Sequence, residues 1–158
     1  RFYTFPPLYT KFGALDTNGL MLNTMITAFN LKAPHARTLV AFPEGIAVNY
    51  HLRVRSPLAE LEFQPLSLGY MGLDHILAEL QENPPDAVLV CYRNMSEFGV
   101  QYFGQDEASG RFLMLWVQDN YILAGKAGQS HLTMTRDAVD IYIPKARARP
   151  PLLNFGPF

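Results

Sequence analysis

The chain has 158 residues, 49% hydrophobic and 17% charged, with 13 Lys plus Arg against 14 Asp plus Glu and a formal charge of -1. That mix is too apolar and too weakly charged for disorder. It also offers no net field to draw phosphate backbones, which argues against nucleic acid as a partner, and its length suits one domain with one core.

Along the chain, "TNGLMLNTMITAFNLKA" from Asp16 or Thr17 carries Leu22, Met25, Ile26 and Phe29 at helical spacing and is closed by Pro34. Its Met and Phe residues suit either an exposed docking face or a helix buried on two sides. "TLVAF" (38–42) is short, apolar and bounded by turn residues, as expected of a strand covered on both faces. "GIAVNYHLRV" reads as a short helix ended by Ser56-Pro57, since the residue before proline avoids helical dihedrals. "LEFQPL" (61–66) alternates and reads as a strand that Pro65 confines to an edge. "GLDHILAELQEN" places Leu73, Ile76, Leu77 and Leu80 on one helical face. "PPDAVLVCYR" turns into a buried strand at 86–92.

The segment 94–110 has two Phe-Gly pairs and no period, so a long loop is expected, of the length that often carries function. "RFLMLWVQDN" resumes as a helix, and "YILAGKAG" and "VDIYIP" read as two closing strands joined by a polar connection. Residues 1–145 are expected to form a single α/β domain of three layers: a mainly parallel sheet with helices on both faces and an antiparallel edge near its C-terminal end. Residues 146–158 make a basic, proline-rich tail, expected to be a poorly ordered exit or to pack on a neighbour.

Apolar windows are interrupted within about 10 residues, short of the roughly 20 that a membrane-spanning helix needs. As it stands the chain is expected to be soluble. It opens "RFYTFPPLYTKFG", with no initiator Met, leader pattern or cleavage site, and is expected to come from a longer protein. The lone Cys91 rules out an internal disulfide and a cysteine-based zinc site, and its apolar surroundings suggest a buried, inert thiol.

For chemistry, Glu44 in "AFPEGIAV" stands out because ligands of α/β proteins gather at the carboxyl ends of strands. The structural alternative is a residue that ends the strand and complements the positive start of the next helix. Pairing Glu44 with Cys91 resembles part of the nitrilase superfamily, but no lysine lies between Lys32 and Lys126 to complete that set. His35, His51, His75 and His131 form no HxH or HxxxH pair, so no metal is expected. "PEGIAVN" has too few glycines for a phosphate loop, and GxSxG is absent. Phe98, Tyr102, Phe103, Trp116 and Tyr50 could present faces to a sugar or lipid-linked substrate, or could simply belong to the core.

The series "LVAFPEGIAVNYHLRVRSP", "ENPPDAVLVCYRNMSEFGVQYFG" and "LWVQDNYILAGKAG" resembles the soluble extracytoplasmic tail of polytopic glycosyltransferases of the dolichyl-phosphate-mannose mannosyltransferase-like superfamily, over residues 13 to 144. The resemblance implies a parent in the inner membrane that transfers sugar from a polyprenyl-phosphate donor outside the cytoplasm. Glu44, Asn49, Tyr50 and Arg53 match the tail's "PEG...NY...R" pattern; Pro85, Asp86, Phe103 and Gly104 match its "PPD" and "FG" positions. The essential acidic residue of that superfamily lies in a loop between membrane helices that is not part of this sequence, so no residue here is assigned a catalytic role and no cofactor is implied. The expected role is acceptor binding or docking on the parent's membrane-embedded helices, with Glu44, Asn49, Tyr50, Arg53, Asp86, Tyr102 and Phe103 as candidate binding residues. The rivals are a stand-alone soluble enzyme using Glu44 as general base and a non-catalytic interaction module.

Overall fold

The apolar run 39–42 forms β3 (Leu39–Phe42), every residue of it buried. The computed structural model describes residues 2–4, 13–128 and 138–147. Ahead of β3 lie a small antiparallel ribbon of β1 (Phe2–Thr4) with β2 (Gly13–Leu15), which the sequence pattern does not signal, and helix α1 (Asp16–Lys32). Met25, Ile26 and Phe29 of α1 are buried, so the apolar stripe they form is a packing face rather than an exposed docking face.

β3 pairs in parallel with β4 (Ala87–Tyr92), in register from Leu39 opposite Ala87 to Phe42 opposite Val90. β6 (Ala138–Pro144) runs antiparallel to β4, and β5 (Tyr121–Gly128) antiparallel to β6, giving the order β3-β4-β6-β5. The class is α/β as expected, but the sheet is mixed, with one parallel pairing and two antiparallel ones. Burial explains the departure. β6 is buried from Ala138 to Tyr142 and takes an inner position, whereas β5 leaves Ile122 and Leu123 exposed and takes the edge. A local hairpin-type pairing thereby inserts β6 beside β4 instead of extending a parallel array.

Successive strand residues alternate between two apolar clusters, as the two-residue period of a strand requires. Leu39, Ala41, Ala87, Leu89, Val139 and Ile141 join Met25 and Phe29 of α1 and Val48 of α2 (Ile46–Leu52). Val40, Phe42, Val88, Val90 and Tyr142 join residues of α3 (Pro65–Met71), α4 (Leu73–Glu82) and α5 (Arg111–Asn120).

Two boundaries differ from the sequence reading. α2 ends at Leu52, before Ser56-Pro57, because Arg53 adopts a left-handed conformation (φ 56°) and its N–H turns back to the carbonyls of Asn49 and Tyr50. The expected strand at 61–66 is absent: Glu62 makes a single bridge with Glu44, and Pro65 opens α3. Proline at the first helical position lacks only an N–H that would have no helical partner there.

The loop 94–110 is packed by its own side chains, with Met95, Val100 and Phe103 buried. Gly110 closes it with φ 91°, and a β-carbon there would stand 2.5 Å from the Phe103 ring. Phe42, Phe63 and Phe103 are 0%, 1% and 1% exposed. Phe42 packs edge-on to Phe63 at 4.9 Å and stacked on Phe103 at 5.2 Å between ring centroids. Residues Lys145–Arg147 form a short 3-10 turn; the tail from 148 and the 129–137 connection with His131 lie outside the described residues.

Removing the Phe103 ring deletes a buried side chain with two packed neighbours. Phe103→Ala is expected to lower stability by about 3–5 kcal/mol in denaturant unfolding. A loss below about 1 kcal/mol would remove the ring from the core.

Candidate functional site

Parallel strands β3 and β4 end at the same edge of the sheet, the position at which α/β domains hold ligands. After β3 the Phe42–Pro43 peptide is cis and Glu44 follows. The N–H of Phe63 donates to the Pro43 carbonyl at 2.6 Å, drawing the 61–64 segment against this corner. Gly45 then starts α2; a β-carbon on it would overlap that of Ala41, so the helix can lie this close to β3 only with glycine here.

At the end of β4, Arg93 reaches across. Its Nε stands 3.0 Å from Glu44 Oε1 and its Nη1 2.5 Å from Glu97 Oε1, and Nη1 also donates to the Asn94 carbonyl at 3.1 Å. Gln64 Nε2 donates to the other oxygen of Glu44 at 2.8 Å. Both carboxylate oxygens are thus engaged by neighbours. Beside them opens a concavity of about 300 Å³ lined by Glu44, Gly45, Ala47, Val48 and Glu62. The first turn of α2 holds no acidic residue, so Glu44 is better described as a partner of Arg93 and Gln64 than as a helix-start charge.

Burial opposes the charge of Arg93, but Glu97 and Glu44 outweigh it and hold the guanidinium above its ordinary pKa. The hydrogen bond from Arg93 in turn holds the Glu97 carboxyl below its ordinary value. Glu44 and Glu97 share the Arg93 guanidinium and Glu62 lines the same concavity as Glu44, so among the described residues the corner carries more carboxylates than cations. Such a surface suits hydroxyl or cationic donors and repels phosphate.

The other candidate residues have varied occupations. Asn49 Nδ2 donates to the carbonyls of Leu39 and Val54 at 2.9 and 3.0 Å, tying α2 to β3. Tyr50 and Arg53 stack on each other at the surface, with 4.6 Å from the guanidinium to the ring centroid. Asp86 sits at the opposite, amino-terminal ends of β3 and β4. It accepts from the N–H groups of Arg37 and Thr38 at 2.7 and 3.1 Å, and its own N–H donates to Thr38 Oγ1 at 2.8 Å. Tyr102 is half-buried edge-on to Tyr92, and Phe103 lies in the core. The structure therefore separates Glu44 from Asp86 and gives Asn49 and Phe103 work inside the fold.

Sequence reasoning missed Arg93, Glu97 and Gln64. The spacing of Arg93 and Glu97 directly after a buried strand was the readable signal, whereas nothing local marks Gln64. It also passed over Asp140, a buried carboxylate 3.6 Å from Lys126 Nζ and 3.4 Å from the Tyr142 hydroxyl. Nearby, burial first, then Tyr142 and Asp140, push the Tyr92 phenol up. Cys91 is half-buried against the cluster under α1 and α2. A second concavity, about 450 Å³, lies at the Asp86 end and is lined by Pro84, Pro85, Trp116 and Tyr121 among others.

Comparison with family models, with characterised proteins and with solved structures gives no match.

Because Arg93 lowers the Glu97 pKa in the folded state, the unfolded chain binds the proton more tightly. The stabilisation is complete above the ordinary value of 4.5 and is lost as pH falls through the lowered folded value. Arg93→Ala is expected to flatten this part of the acid-side slope, read as the change in Tm between about pH 6 and about pH 3. Equal slopes in the two proteins would show that the pair does not form.

Proposed function

We propose that this chain is an accessory extracytoplasmic domain of a polytopic inner-membrane glycosyltransferase using a polyprenyl-phosphate sugar donor, and that the corner around Glu44 handles the acceptor rather than the chemical step. The observation that carries this reading is the charge arrangement at the strand ends. A concavity bordered by Glu44 and Glu62, with Glu44 fixed by Arg93 and Gln64, offers acceptor oxygens to hydroxyl groups and an unfavourable field to a phosphate. Glu44 accepts a hydrogen bond from Gln64 on one oxygen and faces the Arg93 charge with the other, which suits holding a ligand better than taking a proton from one.

Under this reading the two apolar clusters are the two interfaces of a three-layer domain, and its partners are the membrane-embedded helices of the parent and the sugar acceptor. No helix among the described residues is long and apolar enough to cross a membrane, and the reading assigns that part to the parent. Leu66 and Tyr70, one turn apart on α3, are exposed together with Leu61 and Leu73, which supports docking of this side on the parent.

The test is transfer from a polyprenyl-phosphate sugar by the parent in membranes, with and without residues 1–158. Deletion is expected to lower transfer by about tenfold or more, equivalent to at least ~1.4 kcal/mol of transition-state stabilisation, with membrane insertion unchanged. Full activity after deletion would reduce the domain to a docking or stability module.

A further inference from the structure

We propose that Glu60, His75 and Glu79 form a binding site for a divalent ion of the zinc class, which clamps the segment before α3 onto α4. His75 and Glu79 are four residues apart on α4 and so project from one helical face. Glu60 comes to them from the connection between α2 and α3. His75 Nε2 lies 3.9 Å from Glu60 Oε1 and 3.8 Å from Glu79 Oε1, and one ligand atom from each residue falls within 4.8 Å of the others.

These separations exceed hydrogen-bond length, about 3.2 Å at most for N–H···O, so the three groups converge without bonding one another. Around a tetrahedral zinc with bonds of about 2.0–2.2 Å, ligand atoms stand about 3.4 Å apart. Bringing His75 to ligand distance of each carboxylate therefore takes shifts of about half an ångström, which its 57% exposed side chain can supply.

The outer oxygens add a second, independent observation. Glu79 Oε2 accepts the Ala59 N–H at 3.4 Å, which turns its other oxygen toward His75. Glu60 Oε2 is buried with no hydrogen-bond partner among the described residues. The Glu60 side chain as a whole is 26% exposed and meets His75 through Oε1, but a buried oxygen without a donor beside a second carboxylate is stabilised by a nearby cation. One imidazole nitrogen and two carboxylate oxygens favour a zinc-class ion over magnesium or calcium, which prefer all-oxygen sites, and leave a fourth position for water.

The clamp has a consequence at the other site. Glu62, which bridges to Glu44, and Gln64, which donates to it, follow Glu60 in the same short segment. An ion holding Glu60 to α4 fixes the approach of Gln64 to Glu44.

The probe is Zn²⁺ alone, titrated calorimetrically into the purified 158-residue chain. The expected result is one ion per chain and a raised Tm, with no such shift from Mg²⁺. His75→Ala and Glu79→Gln should each weaken binding by more than the roughly 10- to 100-fold that loss of an outer hydrogen-bond partner costs. Binding unchanged in both variants would assign the ion to other histidines and overturn the site. No binding to the wild-type chain would also overturn it.

Discussion

The corner of the molecule that matters most rests on Phe42. This last residue of β3 is fully buried, with Phe63 edge-on and Phe103 stacked against it. Three stretches of chain distant in sequence therefore meet at one aromatic contact: the end of a strand, the segment ahead of α3, and the loop that follows β4. Aromatic pairs of this kind contribute about 0.5–1.5 kcal/mol beyond the area they bury. Glu44 lies two residues past Phe42, Gln64 one past Phe63, and the Arg93–Glu97 pair begins the loop that Phe103 anchors. The polar corner is placed by the rings beneath it.

On that base the charges follow a simple logic. One guanidinium spans two carboxylates and is exposed enough that its value lies in positioning rather than stability. Acidic excess around a small concavity favours groups that donate hydrogen bonds over anions. On the proposed reading this suits an acceptor rich in hydroxyls better than a phosphate-bearing donor.

Much of the fold is legible in the sequence where a single local signal decides. The runs at 39–42 and 87–92 are apolar on both faces and become buried strands, and Leu73, Ile76, Leu77 and Leu80 give α4 by period alone. Where two signals compete, the reading goes astray. Pro65 is equally consistent with ending a strand and starting a helix, and the alternation of apolar and polar residues over 61–66 favours the first. The inner position of β6 depends on comparing its burial with that of β5, which is a property of the assembled sheet. The site was half legible for the same reason. Glu44 is marked by its turn, but Arg93 and Gln64 become its partners only through the parallel register of β3 with β4 and the bond from Phe63 to Pro43. Likewise, His75 and Glu79 share a visible helical spacing, while Glu60 joins them only in three dimensions.

The most direct measurement is steady-state transfer by the parent carrying Glu44→Gln, Arg93→Ala, or both, with acceptor concentration varied. If the pair holds the acceptor as a unit, KM for acceptor rises with kcat little changed, and the double variant is scarcely worse than Arg93→Ala alone. A fall in kcat at unchanged KM would place Glu44 in the chemical step, and that result would contradict the account.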